Sequence, residues 1–344
     1  MRLSCVLPSL LSLCCLAQEH SLQDSHTTEN LRGVSAVSAK VVWASGTHRT
    51  YLRTMDGGST WTSAQVPGAE SLDFRDVEAF SADEAYLQSA GPGDQSRIYK
   101  TSNAGKTWSL QFTNHEPKGF YDCMAFWDRT HGIVLGDPVN GKFELLATED
   151  GIHWSAVTPT VFPPAIDGEG AFAASGTCIA VEGKSNVWFG TGGKAARVFH
   201  SSDRGKTWTV AETPIVHGTA SSGIFSISFR DAMHGLIAGG DYQHPEKGDA
   251  SLAYTEDGGV TWKLAEIHPQ SYFSAIGYVN PSVPNGLLAL GSTRAVFSDT
   301  LLRDKWTVLV ETNLNALSFA PTWDAWAVGP KGAIMHWSFG HVRQ

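Results

Sequence analysis

The chain reads as an all-β, seven-bladed β-propeller of four-stranded antiparallel blades, its ring closed by an N-terminal strand. Three observations carry this. The first is a phrase of Thr or Ser, Asp, Gly, Thr and Trp that recurs along the chain. The second is its spacing of about 45–55 residues, a period that marks repeat architectures. The third is the content of each period, four short strand-like runs separated by turn residues, which amounts to one propeller blade.

The phrase runs Thr54 to Trp61 around Asp56, Thr101 to Trp108 with Asn103 in the Asp place, Ser201 to Trp208 around Asp203, and Thr255 to Trp262 around Asp257. A shortened copy joins Thr148, Asp150 and Trp154, and a worn one spans Ser298 to Trp306. The Asp can accept hydrogen bonds from N–H groups of its own turn, the Gly permits positive φ, and the Trp anchors the hairpin. These positions read as fold-stabilising. An Asp alone at this spacing brings too few oxygens for calcium, and no metal is expected.

Inner strands are expected near Val34, Val77, Cys123, Cys178, Ser226, Ala275 and Ala316. They place blades near 31–70, 74–115, 120–162, 176–214, 223–268, 272–311 and 315–337. The seventh blade has three strands of its own, so its outer strand is expected from Ser21 to Thr28, which would cover an exposed edge. Cys123 and Cys178 fall at equivalent positions of adjacent inner strands. Equivalent side chains point in one rotational sense, so no disulfide is expected between them.

The composition agrees with many strands and tight turns: 344 residues, 35 Gly, 17% charged and 10% aromatic. A net charge of −9 without any Lys/Arg run excludes nucleic acid as a partner. Residues 1–17 read as a secretory signal, with Arg2 ahead of an apolar run from Leu3 to Leu16 and a small-x-small site ending at Ala17. The run is too short to span a membrane comfortably. The expected product is one exported, monomeric propeller over 18–344, periplasmic or secreted. A lipid anchor at Cys14 or Cys15 is the weaker alternative.

The chemically rich segments depart from the repeat. Loops after the second strands hold Asp137, Lys194 and Arg197, and Asp241, Tyr242 and His244. Connections between blades hold His115, Lys118 and Tyr121, then Glu169 and Ser175, then Ser222. All belong to blades three to five and to one face, so they are expected to converge on one sector of one mouth, where a rigid scaffold presents loops. These twelve residues are the candidate ligand site. Asp137, Glu169 and Asp241 are the candidate carboxylates for general acid/base work. Two of them roughly 5–10 Å apart in an open pocket would favour glycoside hydrolysis; scattered, backbone-bonded carboxylates would favour binding.

Gly190-Thr191-Gly192-Gly193-Lys194-Ala195 imitates a dinucleotide fingerprint, but the residues that follow read as a strand. No G-x-S-x-G or H-E-x-x-H occurs around the candidate residues. No cofactor is expected. Arg32 and Arg75 share one inner-strand position near the central channel, where they could meet an acidic peptide or form structural ion pairs.

Leu31-Arg32-Gly33-Val34, followed by Tyr51 to Trp61, resembles the photosystem II stability/assembly factor-like propellers and the wider bacterial neuraminidase (BNR, Asp-box) repeat group. The Glu169–Gly176 and Gly239–Tyr242 stretches resemble a bacterial exported subgroup. The resemblance covers nearly all of 18–344. It implies a seven-bladed propeller that binds a protein or glycan partner. In plant and cyanobacterial members, arginines on inner strands are associated with partner binding; Arg32 and Arg75 match, while Tyr121, Thr177, Ile224 and Phe273 depart. The early Phe-Arg-Ile-Pro motif of sialidases is absent. The reading is therefore a binding or assembly-factor-like protein acting through the blade three to five mouth. The alternative is a glycosidase-type hydrolase using carboxylates of that mouth.

Overall fold

The structure, a computed structural model, describes residues 18–248, 250–266, 269–280, 283–299 and 305–339. The expected signal segment lies outside them. Seven antiparallel sheets form seven blades around a central channel. Their inner strands are Leu31–Ala36, Phe74–Ala79, Tyr121–Phe126, Ile179–Glu182, Ser222–Phe229, Ala275–Asn280 and Ala316–Ala320. Each blade then adds strands outward in chain order.

Closure follows the expected route with a shifted boundary. The strand Gln18–Gln23 pairs antiparallel with Ile334–Phe339 as the outer strand of blade seven. Gln23 then donates to Gly57 O and accepts from the Trp61 indole at 2.7 Å, tying this strand to the blade-one turn.

The recurring turns behave as expected. In blade one, Asp56 accepts from Thr60 N–H at 2.9 Å and from the Thr60 and Thr54 hydroxyls at 2.6 and 2.8 Å. Asn103, Asp203 and Asp257 repeat the pattern on Thr107, Thr207 and Thr261, and Asp150 serves the shortened copy through Ile152 and His153 N–H. Trp61, Trp154 and Trp208 are buried. Trp108 and Trp262 are half-buried and pack against the blade-interface clusters. The core is divided among layers between neighbouring blades, each an apolar cluster drawn from two or three of them. This follows from sheets that bury both faces.

Two features correct the sequence reading. Cys123 and Cys178 do form a disulfide, with Cα atoms 6.1 Å apart. The register supplies the reason. Cys123 lies inside its strand, paired with Leu135, whereas Cys178 lies just ahead of the inner strand of blade four, which begins at Ile179. There the preceding Thr177 turns its hydroxyl to Ser226 of blade five. At this entry to the strand the alternation inferred from blade three does not hold: Thr177 takes the face toward blade five, Cys178 turns toward blade three, and the two sulfurs meet in the layer between blades three and four.

The second correction concerns the channel-facing positions. The inner strands of blades one, two, three and five each carry a β-bulge near their start, between Leu31 and Gly33, Phe74 and Asp76, Tyr121 and Cys123, and Ile224 and Ser226. A bulge leaves one residue unpaired and re-aims its side chain. The residues set off in this way are Arg32, Arg75, Asp122 and Phe225. The counterparts of the two arginines are therefore Asp122 and Phe225, not Tyr121 and Ile224, which are paired and buried.

Candidate functional site

Three connections meet on one face of blades three to five. Glu169 and Gly170 pair with Gly193 and Gly192, and Gly192 pairs with Gly223 on the inner strand of blade five. The glycines are required by close backbone approach. A Cβ on Gly223, where φ is +149°, would lie 2.2 Å from Gly192 Cα, and one on Gly193, where φ is +86°, would lie 2.3 Å from Gly168 O. The Gly-rich run after Gly190 thus serves chain-to-chain packing. The strand Arg197–Ser201 follows it, as expected.

Beside this junction lies a hollow of about 480 Å³, lined by Lys118, Asp137, Pro138, Phe172, Ala220 and the backbone of 168–171 and 192–193. Asp137 reaches it through a bulge between Gly136 and Pro138. Its carboxylate accepts from Ala171 N–H at 2.9 Å. Burial raises its pKa, and that hydrogen bond offsets the rise only in part. Lys118 is exposed on the rim.

Glu169 belongs to the same hollow, but its carboxylate is turned inward and wholly buried. It accepts from Arg197 Nε at 2.9 Å, from Arg197 Nη2, from Thr191 Oγ1 at 2.6 Å and from Ile166 N–H at 2.8 Å. Arg197 also donates to Pro164 O at 2.9 Å. Together they clamp the connection into blade four to the second-to-third strand loop of that blade. A carboxylate so occupied has no lone pair left for a substrate.

A second hollow, of about 420 Å³, opens at the channel mouth. Arg32, Arg75, Phe172, Phe225, Tyr242 and Tyr272 line it, with Ser274, Ser292, Asn313 and Asn315 on its far side. Phe172 stands between the two hollows, stacked on Phe225 at 3.9 Å. Tyr242 is 48% exposed, enough to offer a ring face to a partner.

The remaining candidates line neither hollow. Asp241 accepts from Gln243 N–H and from His244 Nδ1, both at 3.0 Å. Burial acts to raise its pKa, but hydrogen bonds from Ser221, His244 and Gln243 outweigh it and leave the group lowered. Tyr121 is buried against Phe112, and burial raises its phenol. Ser175 is buried, bonded to Ser274 O at 2.9 Å and to the Thr177 hydroxyl at 2.7 Å. Ser222 is buried within the Thr219 turn. His115 and Lys194 are exposed on the same loops.

Two buried acids of the inner strands escaped the sequence reading. Asp76 accepts from Met124 N–H at 2.7 Å, and burial raises its pKa well above the usual range. Burial and the nearby Asp137 raise Asp122, against the pull of Arg75 and the Ala173 N–H. No local pattern marks Asp122, which becomes a channel position only through the bulge next to Tyr121. Among the described residues, no group of three or more His, Cys, Asp or Glu side chains is arranged to hold a metal ion, and no helix is long and apolar enough to cross a membrane.

No known family profile matches the chain. Among proteins of described function, it is 24% identical over 252 residues to the probable oligoxyloglucan-reducing end-specific xyloglucanase of Neosartorya fischeri. That match covers 63% of this chain and 27% of the fungal protein, so the chain spans about a quarter of that relative's length. Similar solved structures include YCF48 from Cyanidioschyzon merolae, with a TM-score of 0.64 and 18% identity over 93% of this chain and 98% of that one. A YCF48 bound to D1 peptide has a TM-score of 0.62 and 15% identity over 95% and 99%. A streptogramin B lyase reaches a TM-score of 0.66 at 10% identity over 94% and 98%. At these identities the likeness is one of fold, and it is to propellers of unlike function.

Proposed function

We propose that this chain is an exported binding or assembly-factor-like propeller that recognises a protein or glycan partner through the mouth of blades three to five. One observation carries the reading: the three candidate carboxylates are engaged by their own scaffold. Glu169 is saturated by Arg197, Thr191 and Ile166, Asp241 is bonded to Gln243 and His244 of its own turn, and Asp137 holds Ala171 N–H. What faces outward is a rim suited to contact rather than to bond cleavage, with Lys118, Phe172 and Tyr242 around two hollows. Aromatic faces with a few polar groups are the usual make-up of such sites. A propeller of like fold has been seen holding a peptide, which supports a protein partner for this face.

The alternative, glycoside hydrolysis, is favoured by the xyloglucanase match and by the raised pKa of Asp137, as a general acid requires. Against it, the carboxylate near Asp137, that of Asp122, is buried on the inner strand and lines neither hollow.

The test is an affinity pull-down from an envelope fraction in parallel with a glycan array, using the wild type, Lys118→Ala and Tyr242→Ala. Retention of a defined partner that either substitution weakens supports the reading. Turnover of an oligosaccharide that Asp137→Asn abolishes would replace it with the hydrolase.

A further inference from the structure

The channel mouth is crossed by the protein's own chain in a way that leaves two arginines poorly matched. Arg32 and Arg75 are set off by bulges toward the same point. Both donate to one acceptor, Ala173 O, at 3.1 and 3.3 Å. Among the described residues, neither forms an ion pair with a carboxylate within 4.0 Å, and Arg32 Nε is buried with no hydrogen-bond partner. Two cations thus share one neutral carbonyl. Burial and the neighbouring Arg75 lower Arg32 to about 10, which still leaves it charged at neutral pH. The acids that act on the two arginines are Asp73 on Arg32 and Asp122 on Arg75; Asp122, which takes the Ala173 N–H, is itself pushed toward its neutral form by burial. Guanidinium pairs are matched far better by a carboxylate, which offers two charged oxygens, than by a peptide carbonyl.

The crossing segment is held here by its backbone, through Asp122 on the Ala173 N–H and the two arginines on Ala173 O, and its side chains add no polar anchor. Phe172 is only half-buried and held by its stack on Phe225. Ala173 and Ala174 bring no side-chain polar group. Beyond them the cavity of about 420 Å³ is open, walled by Tyr242, Tyr272, Ser274 and Asn315. That is the size of a small-molecule site.

We propose that the channel mouth is a latent site for a small organic carboxylate, in which Ala173 O stands where the ligand's carboxylate belongs and Phe172–Ala174 is a plug that the ligand displaces. This goes beyond the partner reading, since it concerns the two arginines within the channel-mouth hollow, although Phe172 and Tyr242 border both that hollow and the outer rim. The plug reduces the observed affinity by the fraction of molecules in which it is closed.

The experiment titrates the full chain with benzoate and glucuronate, each against its neutral counterpart, benzamide and glucose. Calorimetry reads binding, and amide hydrogen exchange reads the plug. Saturable binding of a carboxylate but not of its counterpart is expected, with faster exchange at Ala174 and Ser175. Arg75→Gln should weaken it roughly tenfold or more. Phe172→Ala, which loosens the plug, should tighten it several-fold. Absence of carboxylate binding in both the wild type and Phe172→Ala overturns the proposal, without bearing on partner capture at the rim. So does binding that Arg75→Gln leaves unchanged, or that Phe172→Ala weakens. If Arg75→Gln does not fold, the pairing of wild type and Phe172→Ala decides alone.

Discussion

Glu169→Gln removes the negative charge that is paired with the buried Arg197. The native carboxylate takes four hydrogen bonds, from Arg197 Nε, Arg197 Nη2, Thr191 Oγ1 and Ile166 N–H. A glutamine oxygen can keep those of Arg197 Nε and Thr191. Its NH₂ group then faces Arg197 Nη2 and Ile166 N–H, donor against donor. Two bonds are lost, at about 1–3 kcal/mol for each group left buried and unsatisfied. Arg197, with its side chain 8% exposed, is left as an unbalanced buried cation, and removing one partner of a buried pair costs about 3–5 kcal/mol in all. Pro164 O, which still accepts from Arg197, places the expected loss at the lower end of that range. Urea unfolding with the slope held in common measures it, and Arg197→Gln combined with Glu169→Gln should recover part of the loss. A single-variant loss below about 1 kcal/mol would refute the clamp and return Glu169 to the list of carboxylates free for chemistry.

Three further outcomes follow from the structure. Cys123→Ser with Cys178→Ser should lower stability by about 4 kcal/mol in the loop-closure account for a separation of 55 residues; mass spectrometry of the unreduced wild type should show the crosslink, and free thiols there would remove the basis for the expectation. Asp56, held down to about 2 chiefly by the Thr60 hydroxyl, should favour the folded turn fully above the ordinary carboxylate range and lose that contribution as pH falls toward 2; a carboxyl titration by NMR near the model-peptide value would contradict it. Glu78 is raised by burial to about 7. The unfolded chain ionises it first, so it opposes folding increasingly from about pH 4.5 to 7. Glu78→Gln should therefore raise the urea midpoint at pH 8 and have little effect at pH 4, and an equal effect at both would exclude this assignment.

The repeat was legible because each Asp turn is satisfied locally. Asp56, Asn103, Asp203 and Asp257 bond residues within their own phrase, so spacing in sequence carries their geometry. The closing strand could be placed because blade seven lacked one, although its start at Gln18 depends on pairing with Phe339, which no local pattern encodes. What escaped notice turns on single-residue offsets. The bulges next to Leu31, Phe74, Tyr121 and Ile224 shift which residue faces the channel, and in blade four Cys178 lies just ahead of the paired strand and turns toward blade three. An alignment on Trp cannot reveal such offsets, and each flips a side chain to the other face. The same limit applied to Glu169. The connections of blades three to five do meet, and they bring Lys118, Asp137 and Glu169 to one hollow. That Glu169 turns its carboxylate inward to Arg197 depends on a contact across 28 residues. The glycines at 192, 193 and 223 read as turn residues but allow three chain segments to touch.

The most direct test of the partner-binding mouth is a hydrogen-exchange footprint of the chain with whatever the pull-down or array retains. Protection confined to 115–121, 136–142, 167–176, 217–223 and 239–244 is the predicted result. Protection centred on the Asp turns at 54–61, 101–108, 201–208 and 255–262, with those loops unchanged, would contradict it.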